Sequence, residues 1–526
     1  MNDLVKKVDY FMYRYFSNNV TLVMYVNLLI EDLDEPFFAA IGEYVKEVHI
    51  THSKALKSIS GLISPNISHL EVRQTSLHSI EFEENNALSH LIISHSNLKA
   101  LSPTINGLRA SERIEITYAY LQAIDLAKFA NSVRIVCTAD SVCQIYDACT
   151  SADFFVHQYI PTNVNTVRYL NLDMELVNAT FFNTLPAFVT KVHILQSKHT
   201  KWFVVPGLSN ISELSFAYTG LSRIEMDENY VLTSFDVASS KLVRVPSTIN
   251  NLRACVRIEV TSSLIKELDM GVFCDMPKLK LLNLYGNRIV YLNNSATSNC
   301  SVYDSLQVIV LTRNLLKTLN MEVFDPFRAI NKLTVNENRI AEVVGSFGSD
   351  LDLELFLSKN KIQSIALCDW NVPRVTWFDL QHNKLTTVPD CLENLNRATH
   401  FILAFNQITH VNIESFAGMA SLMNLELSNN SISSIQLSST RYPPKLQHLW
   451  IEGNNITEIV LSVVAVNSLV IDVQSNFIKS MDVDQISPNV SRLCMAGNPI
   501  DCSWKSLQDK NILKGVYQYY VEYIKS

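Results

Sequence analysis

The feature that most constrains this chain is a short frame that recurs along it. In LQHLWIEGNNITEI (446–459), apolar residues occupy the first, fourth, sixth and eleventh places and an asparagine the ninth; LMNLELSNNSISSI from Leu422 and VTWFDLQHNKLTTV from Val375 repeat the arrangement. Self-similarity at about 20 to 29 residues identifies units that cannot bury their apolar faces alone and must stack on their neighbours. One long solenoid is therefore expected in place of several ordinary domains.

Followed along the chain, the ninth place marks about 21 units. In the second half it holds Asn287, Asn314, Asn338, Asn360, Asn383, Asn406, Asn430, Asn454, Asn476 and Asn498, at intervals of 22 to 27. In the first half it is assigned to Glu31, Ser53, Thr75, Ser96, Ala119, Asp140, Glu175, Ser197, Thr219, Ser240 and Ser263. A carboxamide carries both an acceptor and donors, so stacked asparagines can satisfy backbone groups left unpaired where each strand turns away. Serine and threonine offer one hydroxyl and do part of this; alanine does none of it, and buried acids are costly. A less regular first half is expected.

The frame resembles the leucine-rich repeat family, whose pattern LxxLxLxxNxIxxI is matched without a gap by LKLLNLYGNRIVYL (279–292), LQVIVLTRNLLKTL (306–319) and INKLTVNENRIAEV (330–343). The match covers residues 23 to 500. That resemblance implies an α/β leucine-rich repeat solenoid (horseshoe), with one short parallel strand per repeat on the concave side and turns or short helices on the convex side. Phe273, Phe324 and Phe416 look like the convex spine of the longer extracellular class.

A larger period lies beneath the first. Residues 45–126 align with 189–270 at an offset of 144 without a gap, with 31 identities in 82 positions. TINGLRA (104–110) returns as TINNLRA (248–254), and the offset extends upstream to Asp9 and Asp153. The expected organisation is a first block (1–144), its duplicate (145–270), regular asparagine repeats (271–500) and a C-terminal cap helix (501–526). Met1 then falls inside the block, so the missing signal peptide is compatible with a truncated or re-started chain.

Cysteines bear on the compartment. Cys368 and Cys391 each lie eight residues after a ladder asparagine, and Cys274 and Cys300 lie thirteen and fourteen before one. Equivalent places in stacked repeats sit about 5 Å apart, within disulfide reach. Two inter-repeat bridges are expected; reduced thiols in a cytosolic solenoid are the alternative. Cys494 and Cys502 resemble the start of the cysteine-bearing C-terminal cap of secreted members, without the usual four cysteines. Cys137 reads as a small buried hydrophobe, and Cys143, Cys149 and Cys255 have no assignable pairing. Asn19, Asn66, Asn178, Asn210, Asn293, Asn299, Asn429, Asn455 and Asn489 head N-x-S/T triplets, the acceptor motif for N-glycosylation in a secreted chain.

Function is expected on the concave strands, where the variable places point outward. There the later repeats present Phe356, Trp377, Asp379, His382, His400, Phe405, Glu426, His448, Trp450 and Glu452. Exposed aromatics on a rigid sheet anchor interfaces, although aromatics also suit strands for their own packing. His49, His52, His69, His90 and His95 cluster in the first block, which admits a metal or pH-sensing role beside plain solvated histidines. Only His49 persists in the duplicate, as His193, while the apolar frame is kept.

A net charge of −8 does not favour nucleic acid or anionic membrane as partner. No apolar run is long enough to span a membrane, and no phosphate loop, G-x-S-x-G, HExxH or zinc-type cysteine pair is present. Leu513, Val516, Tyr517, Tyr520, Val521 and Ile524 fall at helical spacing and would cap the solenoid; a partner-binding or dimerising helix is the other reading. The expected protein is non-catalytic, without cofactor, secreted or ectodomain-type, and binds a protein ligand on its concave face. It resembles the extracellular leucine-rich repeat proteins of animals, including mosquito complement-associated immune proteins, although the long C-terminal coiled coil of that group is absent. The alternatives are an intracellular scaffold or regulatory subunit, or an ectodomain fragment of an adhesion or Toll-like receptor.

Overall fold

A computed structural model describes residues 19–82, 87–98, 113–119, 134–138, 142–148, 154, 156–157, 160, 162–207, 210–296 and 299–500. Asp140, Cys149, Cys502, the side chains of Ala119 and Cys137, and the expected helix at 501–526 lie outside the described residues. The chain divides into two compact units, Met1–Lys241 and Leu242–Ser526.

In the first unit, Leu22–Val26, Glu47–Thr51, His69–Arg73, His90–Ser96 and Arg113–Ala119 pair in parallel, one strand per repeat and in register (Val23 with Val48 with Leu70 with Leu91 with Ile114). Arg134–Thr138 then runs antiparallel to both Arg113–Ala119 and Val142–Tyr146, a reversal that the repeat frame did not foretell. Parallel order resumes through Val142–Tyr146, Thr166–Leu170, Lys191–Leu195, Glu213–Ala217 and Ser234–Ala238. Side chains alternate across each strand, so the fourth and sixth places of the frame, such as Val48 and Ile50, are buried while their neighbours face outward.

Residues related by the offset of 144 make matching side-chain contacts. Phe37 and Phe38 meet edge to face with centroids 5.2 Å apart, as do Phe181 and Phe182. Ser53 Oγ accepts from the N–H of Leu28 at 3.0 Å, and Ser197 Oγ from that of Leu172 at 2.9 Å. Strand pairing corrects the register: Val26 pairs with Thr51 and Leu170 with Leu195, so the ninth place belongs to Leu28 and Leu172, both buried, and not to Glu31 and Glu175. The two acids instead lie at the surface, paired with Lys57 at 2.8 Å and Lys201 at 3.1 Å.

In the second unit the strands Arg257–Thr261, Leu281–Asn283, Val308–Val310, Lys332–Thr334, Leu353–Phe356, Val375–Asp379, His400–Ile402, Asn424–Glu426, His448–Trp450, Leu469–Asp472 and Val490–Cys494 form one parallel ladder. Across the repeat from it lie short 3-10 turns whose phenylalanines Phe273, Phe324 and Phe416 are fully buried.

Each of the ten asparagines makes the same contacts. At Asn406, Nδ2 donates to the sixth-place carbonyls of its own repeat (Leu403, 3.0 Å) and of the one before (Leu380, 3.0 Å), and Oδ1 accepts from the N–H of Leu385 at 3.0 Å. Because the side chain takes the sixth-place carbonyl, the strand stops at the fifth place, as at Ile402, Glu426 and Trp450. Where serine or threonine stands instead, the carbonyl stays in the ladder and the strand runs at least to the seventh place, as at Thr51, Arg73, Ala217 and Thr261. Ser197 satisfies one N–H and, at 2.9 Å, the carbonyl of Leu195, whereas Thr219 Oγ1 and Ser96 Oγ are buried without a hydrogen-bond partner.

Between the two rungs, the eighth place takes up left-handed backbone: φ is 59° at Arg313, 56° at Glu337, 54° at His382 and 53° at Phe405, with glycine there only at Gly286, Gly453 and Gly497. Adjacent repeats are also linked covalently. Cys274 is bonded to Cys300 and Cys368 to Cys391, with α-carbons 4.6 and 5.1 Å apart. Cys143 is likewise a half-cystine, Cys255 is a buried thiol and Cys494 a partly buried one.

Candidate functional site: the open face of the second unit's sheet

The outward places of the strands, the third, fifth, seventh and eighth of each frame, build this face. Strand pairing sets two rows. Lys332, Glu354, Trp377, His400, Asn424, His448 and Val470 succeed one another in the third place, and Thr334, Phe356, Asp379, Ile402, Glu426, Trp450 and Asp472 in the fifth.

The rings expected to project outward instead lie against one another and are half-buried. Trp377 stacks on His400 with centroids 4.0 Å apart and planes 16° from parallel, and meets Phe356 at 6.3 Å on its other side. Its Nε1 is buried and has no hydrogen-bond partner. His400 bonds Thr399 Oγ1 through Nδ1 at 3.0 Å and lies 2.8 Å from Asn424 Nδ2 through Nε2. Burial holds His400 below the usual histidine range, so the ring is neutral at pH 7 and Nε2 accepts from the amide. His448 stacks on Trp450 at 5.3 Å. His382 and Phe405 form a separate pair at 4.2 Å, both exposed on the left-handed eighth place. Lys332 Nζ stands 4.8 Å over Phe356 and is paired with Glu354 at 2.8 Å.

The carboxylates complete the face. Asp379 is buried, which pushes its carboxyl upward against the pull of the Gln381 N–H, bonded at 2.9 Å. Burial likewise raises Glu426, and the charges of Glu452 and Asp472 add to it, while Ser428 donates a hydrogen bond to Glu426. Glu452 Oε2 is buried with no hydrogen-bond partner. In register, Trp450 lies between Glu426 and Asp472, with Glu452 two residues past the end of its strand in the seventh place. Over the five repeats from Val375 to Asn476, the third, fifth, seventh and eighth places hold Asp379, Glu426, Glu452 and Asp472 and no lysine or arginine. Among the described residues none of these four is ion-paired to a lysine or arginine. Asn424 and Asp472 were missed in the sequence reading, although the frame places them in the same two rows.

In the first unit His69 and His90 stack at 4.1 Å with planes 8° apart, each held by the serine before it. His49 reaches Glu71 at 3.6 Å, and its duplicate His193 reaches Glu213 at 3.2 Å, so the retained histidine keeps an acidic neighbour in each block, from a different frame place. His52 and His95 take the left-handed eighth place. Among the described residues no group of three histidine, cysteine, aspartate or glutamate side chains is placed to hold a metal ion, and no helix is long and apolar enough to cross a membrane.

Comparison with known proteins agrees with this geometry. A leucine rich repeat family profile matches residues 396–456. No curated protein matches the chain. Among solved structures, the TLR13–ssRNA13 complex is similar with a TM-score of 0.52 and 16% identity, over 92% of this chain and 82% of that one. The LRIM1/APL1C complex is similar with a TM-score of 0.50 and 17% identity, over 72% of this chain and 64% of that one. A leucine-rich repeat protein of Leptospira interrogans, LIC12759, aligns at 18% identity over 68% of this chain and 90% of that one, with a TM-score of 0.49. At these identities the likeness concerns the fold, and the fold is that of a leucine-rich repeat solenoid.

Proposed function

We propose that this is a non-catalytic recognition protein, secreted or ectodomain-type, that binds a partner protein on the open face between Trp377 and Asp472. The observation that carries the reading is the five-repeat stretch with two tryptophans and four carboxylates unopposed by any lysine or arginine. Half-buried tryptophans supply apolar area at little entropic cost, and the unpaired carboxylates call for positive charge from outside. The partner is therefore a protein presenting arginine or lysine beside apolar residues, and not a nucleic acid. The bridges Cys274–Cys300 and Cys368–Cys391 support an oxidising compartment. Recognition in innate immunity is the role that the resemblance to insect repeat proteins implies.

The test uses W377A/W450A and, separately, E426Q/E452Q/D472N, in pull-down from the native extracellular fluid. Both variants should lose a partner that the parent retains, and melting temperature should stay within a few degrees. Binding by the parent should weaken with rising salt. Retention of the same partner by both variants overturns the assignment of this face.

A further inference from the structure

The sequon asparagines do different work in the fold, and the difference decides which of them can carry sugar. Asn66 precedes the frame of its repeat and donates both amide hydrogens to the previous repeat, to the carbonyls of Gly42 at 3.1 Å and Val45 at 3.2 Å. Asn489 stands in the equivalent place and donates to Val464 at 2.6 Å. For these residues the carboxamide is a rivet between loops, which explains the asparagine without any modification. Asn429 and Asn455 differ. Both are exposed, neither carboxamide makes a hydrogen bond among the described residues, and the hydroxyl residues of their sequons, Ser431 and Thr457, are exposed as well.

We infer that Asn429 and Asn455 are N-glycan attachment sites and that Asn66 stays bare in the folded protein. The inference rests on the extracellular reading above, since the donor is a lipid-linked oligosaccharide diphosphate of the secretory pathway. In the transfer the asparagine Nδ2 bonds to the anomeric carbon of the sugar. The bond from that carbon to the diphosphate oxygen breaks, the diphosphate leaves with the electron pair, and one amide proton is lost to base. A single N–H remains. Asn429 and Asn455 have no hydrogen bond to give up, whereas Asn66 would lose one of two and would have to place a sugar between packed loops. A buried acceptor left without its donor costs about 1–3 kcal/mol, and the steric conflict adds to it.

The position of Asn429 has a further consequence for the open face. It follows Phe405 in the eighth place, one repeat on, with the Phe405 N–H bonded to Ser428 at 2.9 Å and the Asn429 N–H to Glu452 at 2.8 Å. A glycan there borders the His382–Phe405 ring pair and leaves the rows of Trp377 and Trp450 open, so a partner approaches from the third-place side.

The test is a glycopeptide map of the full chain isolated from its natural source. Enzymatic release of N-glycans in heavy-oxygen water converts each occupied asparagine to a labelled aspartate. Label at Asn429 and Asn455 and none at Asn66 is the expected result; in a secreted recombinant chain, N429Q and N455Q should each remove one glycan step from the gel mobility. Label at Asn66, or its absence from Asn429 and Asn455 while other sequons carry it, overturns the inference and leaves the extracellular reading standing. A chain from the natural source with every sequon bare overturns both.

Discussion

Replacing one rung of the ladder tests whether the asparagines are chosen for their hydrogen bonds. Asn406 is 8% exposed and closes three backbone groups: the carbonyls of Leu380 and Leu403 and the N–H of Leu385, each at 3.0 Å. Leucine matches the branching of asparagine with bulkier ends; it leaves the Leu385 N–H unpaired and removes one of two donors from each carbonyl, since Leu380 keeps Asn383 at 2.9 Å and Leu403 keeps Asn430 at 2.9 Å. At about 1–3 kcal/mol for the unsatisfied N–H and about 0.5–1.5 kcal/mol for each of the two lost bonds to carbonyls, N406L should cost roughly 2–6 kcal/mol. Serine should behave as Ser197 does, accepting from the ninth-place N–H of the repeat before it, here that of Asn383, and donating to a seventh-place carbonyl. The sixth-place carbonyls can then rejoin the ladder as they do in the first unit. N406S should therefore cost only about 1–2 kcal/mol. The two units need not unfold together, so the readout is native-state hydrogen exchange at the amide of Leu385, beside urea unfolding followed by tryptophan fluorescence. In both variants that amide should exchange far faster than its neighbours, and only in N406S should the urea midpoint stay close to that of the parent. Equal losses for leucine and serine would refute the reasoning, because packing alone would then account for the asparagine.

Three further outcomes are expected. His157 is buried among Phe154, Tyr169 and Phe181, with Nδ1 2.8 Å from Thr184 Oγ1, and burial lowers its pKa to about 4. Since the unfolded ring takes up its proton near pH 6.5 and the folded ring does not, stability is full above that pH and falls as pH drops toward 4, by up to about 3 kcal/mol. Denaturation of the parent and of H157F between pH 7.5 and 4.5 should show a steeper loss of stability in the parent, the difference between the two being the His157 contribution. Removing the Cys368–Cys391 bridge, which closes a separation of 23 residues, should cost about 3 kcal/mol by the chain-entropy estimate; calorimetry of C368S/C391S reads the lowered melting temperature. Across the whole chain, amides before residue 270 should exchange faster than those after it, because Ser96 and Thr219 leave their rungs open; uniform protection would contradict that account.

Much of this structure was legible because the asparagine frame fixes both the strand register and the inward residues. Leu403 could be placed in the core by its place in the frame and Phe273 by the family resemblance, and both bridges could be paired from spacing. The frame failed where the rung is apolar. In YVNLLIED a leucine at the ninth place is indistinguishable from a core leucine, so the reading slid by three residues to Glu31, and likewise to Glu175. The left-handed eighth place was hidden for another reason: Arg313, Glu337 and Phe405 are not residues that favour positive φ, and only stacking against the next repeat imposes it. In the candidate face the frame located Trp377 and His400 on adjacent strands. It could not tell that the rings lie flat against one another, which depends on side-chain rotamers, nor that Asp379 is buried.

Every ladder bond reaches back by one repeat and no further. A copied or excised stretch that starts and stops at the same point of the frame therefore meets compatible partners throughout and faces new neighbours only at its two seams. The segments related by the offset of 144 behave in this way: Ser53 with Leu28 and Ser197 with Leu172 make the same bond. Length in such a chain is thus a freely heritable variable, and the outward residues can diverge between copies while the rungs hold them in place.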